Sequence, residues 1–240
     1  MFLQIGFFLQ LIHLLGAAIA LPTEQIPLQD GSSKDVQIIR AELKKAEIIP
    51  TVIDDFLPSI TISVSWSKKE AKLGNTLKTK HVQDQPTISI YDETSPDAFT
   101  NSNMTYVVTL TDPDAPSRED PKWSEMCHWI ASNITLSQKM YSILPISFST
   151  EQEKEIGKDI DEIMEWKPPG PPPKTGKHRY VFLVFAPKNG TTETLHLTKP
   201  KDRQHWGTGE ERGGVRDWAE ENELVPVGAN FMYSQNKKQS

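Results

Sequence analysis

Residues 178–187, HRYVFLVFAP, constrain the fold of this chain more than any other stretch. Nearly every side chain is apolar or aromatic, and a proline closes the run. That composition forms a strand rather than a helix. A strand so apolar belongs in the centre of a sheet.

Shorter runs supply its neighbours. In SITISVSW, Ile60, Ile62, Val64 and Trp66 face one way and the Ser and Thr residues the other, the pattern of a half-buried strand. PTISIYD, TYVVTLT, CHWIASNITL and a short closing ANFMYSQ have the same character. Val36, Ile39, Leu43 and Ala46 repeat at helical spacing and Pro50 stops the run. GGVRDWAEENEL reads as a second helix. Residues 67–85 read as loop, the acidic stretch 150–165 as a short helix or loop, and PPGPPPK breaks regular structure. The expected class is mostly β, antiparallel, with peripheral helices at the termini.

The first twenty residues contain no Asp, Glu, Lys or Arg and end in Ala18-Ile19-Ala20, a small-x-small cleavage pattern. The expected organisation is a signal peptide at 1–20, a flexible leader at 21–34, a folded domain at 35–236 and a tail at 237–240. An uncleaved signal anchor is the rival reading, but Gln10 and His13 interrupt the apolar stretch. No second long apolar run exists, so no membrane span is expected after cleavage. The expected location is extracellular, or alternatively the vacuole or another secretory lumen. Sequons at Asn103, Asn133 and Asn189 fit export. Cys127 is the only cysteine, so the core must hold the fold without an internal disulfide. A net charge of −6 and a pI near 5.6 argue against a nucleic-acid binder.

The candidate chemistry lies where strands meet proline-rich loops. TYVVTLT runs into Asp112-Pro113-Asp114-Ala115-Pro116, two carboxylates set among two prolines, where a turn needs only one. Strand alternation puts His178 and Tyr180 on one face and Arg179 on the other. It likewise pairs Met126 with His128, and Cys127 with Trp129. A site of Asp112, His128, His178 and Tyr180 is geometrically reasonable, with imidazole N–H groups and a phenol as donors to phosphate oxygens. Each member also has a structural reading, as a turn former or a satisfied core histidine. Arg179 reads as an ion-pair partner of an aspartate in the Asp-Pro-Asp turn. Cys127 and His128 are sequence neighbours whose side chains diverge, so they do not pair as nucleophile and base.

DPDAPSREDPKWSEMCHW, GPPPKTGKHRYVFLVF and GANFMYSQ, in that order, resemble the phosphatidylethanolamine-binding protein family, also called the Raf kinase inhibitor protein family. The resemblance spans roughly residues 38–235. CHWI and GGVRDWAEENELVPVGANF are most similar to its fungal branch, which includes the carboxypeptidase Y inhibitor. The resemblance implies a sandwich of antiparallel sheets with a small anion pocket at one end. The pocket would use Asp112, Pro116, His128, Gly170, Pro171, His178 and Tyr180, with Trp123 and Met126 as further lining. Trp123, Met126 and Cys127 stand where animal members usually have Tyr, Trp and His. No cofactor or metal is implied.

The main expectation is a monomeric, non-catalytic binding protein for phosphate or phospholipid headgroups. The alternative is an inhibitor of a serine carboxypeptidase. A weaker alternative is a hydrolase using the Asp/His pocket, although no G-x-S-x-G elbow is present.

Overall fold

The computed structural model describes residues 34–92, 104–136 and 160–239. These lie in one compact unit, Ser32–Ser240. The expected signal peptide, almost all of the leader, and the sequon at Asn103 fall outside the described residues.

Among the described residues, nine strands form two sheets. β1 (Ile60–Trp66) pairs antiparallel with β2 (Lys69–Glu70) and with β4 (Thr87–Asp92). The larger sheet contains β3 (Asn75–Thr76), β5 (Tyr106–Asp112), β6 (Met126–Ile134), β7 (Asp161–Met164), β8 (Lys177–Pro187) and β9 (Leu224–Gln235). Its order is β3-β9-β8-β5-β6-β7. All its pairs are antiparallel except β3 with β9.

The apolar run 178–187 is central, as expected, because both of its faces are covered. Tyr180, Phe182 and Val184 pack between the sheets with Ile62, Val64 and Ile90. Val181, Leu183 and Phe185 pack on the opposite face. There they meet α1 (Lys34–Lys45) through Ile39 and Leu43, and α2 (Val215–Glu221) through Val215 and Trp218. Each such side chain, fully buried, contributes about 1.5–3 kcal/mol. Lys44 and Lys45 complement the carboxyl end of α1. At the start of α2, the Gly214 N–H donates to the Asp217 carboxylate.

Three expectations about local structure change. The stretch 67–85 holds two two-residue strands and a 3-10 turn, Thr79–His81. Within the acidic stretch, residues 161–164 form an edge strand, with Ile130 opposite Met164 and Ser132 opposite Asp161. The pairing partner, not local propensity, decides its form. The closing strand runs twelve residues rather than seven, because β9 pairs with β8 along its length, Pro226 included.

Gly228 explains one close approach. A Cβ there would lie 2.5 Å from the carbonyl oxygen of Ile60, so only glycine lets β9 pass this near β1. Two residues on, the Asn230 amide donates to the carbonyls of Ile62 (3.1 Å) and Ala71 (3.0 Å) and accepts the Leu73 N–H (3.1 Å). This one side chain ties the two sheets together.

Candidate functional site

The two acids of Asp112-Pro113-Asp114 serve opposite faces of β8. Asp112 ends β5, and its Oδ2 accepts the Nδ1–H of His178 at 2.9 Å. Its Oδ1 accepts the Asp114 N–H at 2.8 Å, which closes the turn. Asp114 turns the other way and takes the guanidinium of Arg179 in a two-pronged contact, Nη2–Oδ1 at 2.6 Å and Nε–Oδ2 at 2.9 Å. Arg179 also donates to the carbonyls of Ala46 and Glu47, beyond α1. The expected partnership of Arg179 with this turn is therefore present, and Asp114 is its acceptor. One turn thus anchors two successive residues of β8, which is why it carries two carboxylates.

His178, Tyr180, His128 and Asp112 come together on the inter-sheet face. The His178 ring stacks 6.4 Å from that of Tyr180, and His128 meets Tyr180 edge-on at 5.3 Å. The Tyr180 hydroxyl interacts with the Asp112 carboxylate and the Gly170 backbone. The four residues are 1–4% exposed and form a floor. The expected rim is more open. Gly170 is exposed, Pro116 and Met126 are half-buried, and Trp123 is 36% exposed. The Pro116 carbonyl faces the His178 ring, and Met126 sits directly opposite Asp112 across the strand pair. The Trp123 N–H bonds the Ala115 carbonyl at 3.0 Å, beside Pro116. Pro171 is buried, and its carbonyl accepts the Asn236 amide at 3.0 Å.

Simple alternation fails at one point. A β-bulge lets Thr111 pair with Cys127 and Leu110 with Trp129, so His128 is the extra residue. Cys127 packs on the helix side and Trp129 between the sheets, so they do not share a face as expected. The bulge keeps His128 in the site while Trp129 fills the core below it. Burial pushes the Cys127 thiol up to about 12, which leaves no thiolate nucleophile at neutral pH.

The two imidazoles are shifted in opposite directions. The Thr175 hydroxyl donates to the Pro172 carbonyl at 2.8 Å, so toward His178 Nε2, at 2.9 Å, it is an acceptor. An acceptor at Nε2 and the Asp112 carboxylate at Nδ1 both suit the protonated form of the ring. Burial alone would disfavour that charge, but the Asp112 hydrogen bond and carboxylate outweigh it and raise the His178 pKa. His128 donates its Nδ1–H to the Lys167 carbonyl at 2.7 Å. Burial lowers its pKa despite the Asp112 charge, so it is neutral. Burial, then the Asp112 charge, also holds the Tyr180 phenol protonated. Sequence reasoning missed Thr175, and the only signal for it was a hydroxyl three residues before His178. Among the described residues no three His, Cys, Asp or Glu side chains converge to hold a metal.

Two sequons lie among the described residues. Asn189 is exposed in the turn after β8, its Oδ1 accepting the Thr191 N–H at 3.0 Å. The Asn133 amide instead donates to the Asp161 carboxylate across the β6–β7 pair.

The family model described as phosphatidylethanolamine-binding protein matches residues 67–232. The chain belongs to this family. It is 33% identical to the carboxypeptidase Y inhibitor of Saccharomyces cerevisiae over 207 residues, 81% of this chain and 93% of that protein. A crystal structure of carboxypeptidase Y inhibitor in complex with its cognate proteinase superposes with a TM-score of 0.68 at 30% identity, covering 84% of this chain and 97% of that one. The phosphatidylethanolamine-binding protein of Plasmodium vivax shares the fold, with a TM-score of 0.60 at 21% identity over 82% and 97% of the two chains.

Proposed function

We propose that this chain is a non-catalytic proteinase inhibitor directed at a serine carboxypeptidase. The observation that carries this reading is similarity along the length of a relative named for that activity, 93% of it, rather than at the pocket motifs alone. The high pKa of the Cys127 thiol fits a non-catalytic role. The apolar first twenty residues and the exposed sequon turn at Asn189 support a setting in the secretory pathway. The test is hydrolysis of a blocked dipeptide by a purified fungal serine carboxypeptidase with increasing amounts of this protein. Inhibition that saturates at a fixed molar ratio supports the reading. An unchanged rate at large molar excess overturns it.

A second reading, compatible with the first, is that the Asp112–His128–His178–Tyr180 floor binds a phosphate or a phospholipid headgroup. The converging imidazoles, phenol and Gly170 backbone favour it. Loss of calorimetric heat with phosphoethanolamine on His178→Ala, in a folded variant, supports it. Silence from the wild type removes it.

A further inference from the structure

The floor offers an anion no surplus positive charge. The Asp112 carboxylate faces His178 across 2.9 Å, and this pairing raises the pKa of the ring against the effect of burial. His128 is neutral, and the Tyr180 hydroxyl keeps its proton. An oxyanion entering such a buried site adds an uncompensated charge, which is costly in a low-dielectric surrounding. His178 cannot turn toward the ligand to help. Its Nδ1 is held by Asp112, and its Nε2 by Thr175, whose own proton is committed to Pro172.

His128 is the group that can respond. Its Nδ1–H is fixed on the Lys167 carbonyl, and its Nε2 makes no hydrogen bond among the described residues. In the neutral ring Nε2 presents a lone pair, which repels an oxyanion. The charged and titratable groups around it are Asp112 on β5, Lys167 in the loop after β7, Arg203 before the 3-10 turn at His205–Gly207, and Tyr180 with His178 behind it on β8. Arg203 is already spent on the carbonyls of Cys127, His128 and Glu165. Asp112 is the one carboxylate in this set, and it is already paired with His178.

We propose that the site takes up a phosphate-type anion together with one proton, which enters from solvent onto Nε2 of His128. The new Nε2–H then donates to a phosphoryl oxygen, and the imidazolium balances the ligand's charge. Affinity therefore rises as pH falls toward the His128 pKa, and levels off below it. The proposal rests on the pocket reading above and is independent of proteinase inhibition.

Calorimetric titration in two buffers of different protonation enthalpy tests it. Glycerophosphoethanolamine is one probe, because a phosphodiester has no proton of its own to supply. Inorganic phosphate is the second, and whichever binds shows whether a lipid headgroup or free phosphate fits the site. The expected result is uptake of about one proton per diester bound at about pH 7.5, falling toward zero as the solution is acidified. In His128→Gln the amide N–H replaces the protonated nitrogen. This variant should bind the diester more weakly than the wild type does at acidic pH, with no proton uptake and a flat pH profile. Near-ultraviolet circular dichroism checks its fold. Binding without proton uptake by the wild type overturns the proposal and leaves the pocket reading standing. Absence of binding by both probes removes both.

Discussion

His178 and Asp112 are joined by an Nδ1–H···Oδ2 bond of 2.9 Å, with both side chains almost wholly buried. Substituting Asp112 by Asn removes the charge that raises the His178 pKa. Breaking a buried pair of this kind costs about 3–5 kcal/mol. The pH dependence has a definite sign. His178 is raised above its ordinary 6.5, so its contribution is complete below that value and is lost as pH rises through the folded value. Urea midpoints across pH should show this alkaline decline in the wild type, and Asp112→Asn should lack it.

Glu125 is shifted in the opposite direction from an ion-paired carboxylate. Burial against Thr111 and the first turn of α2 pushes it up to about 8 from 4.5. The folded state keeps a proton that the unfolded state has lost, so stability falls with rising pH between those two values. The slope is up to about 1.4 kcal/mol per pH unit. Glu125→Gln should abolish that slope while leaving stability near pH 5 little changed, as read from denaturation midpoints at a series of pH values.

Arg179→Lys should destabilise by about 3–5 kcal/mol although it keeps the charge. A lysine cannot span both oxygens of Asp114 and also reach the carbonyls of Ala46 and Glu47. Urea unfolding gives the magnitude. Amide exchange in the segment after α1 should quicken, because that segment loses its bond to the sheet.

Asn230→Leu should strand the Ile62 and Ala71 carbonyls and the Leu73 N–H between the two sheets. Each buried group left unpaired costs about 1–3 kcal/mol. A thermal melt that stays within the error of the wild type would show that the sheets are held by apolar packing alone.

Most strands and both helices were legible because their residues carry a local period. Ile60 to Trp66 alternate in burial as the sequence indicates, and Val36, Ile39, Leu43 and Ala46 are all buried. Asp161–Met164 was not legible, because its strand character comes from pairing with β6. Nor was the full length of β9, where Pro226 and Gly228 look like breakers until β8 and β1 lie beside them. In the site, the sequence brought Asp112, His128, His178 and Tyr180 together, and it put Arg179 on the other face.

The sequence by itself determined the mostly β class, the central strand and the rigid Asp-Pro-Asp turn, because strand periodicity and proline geometry are local properties. Only the tertiary structure decided which aspartate serves which partner, that a bulge separates Cys127 from Trp129, and that one imidazole is shifted toward its protonated form while the other is shifted toward its neutral form. Those features depend on burial and on hydrogen-bond partners far away in the chain. Thr175, Lys167 and Asp112 set the two histidines apart only once β5, β6 and β8 lie side by side.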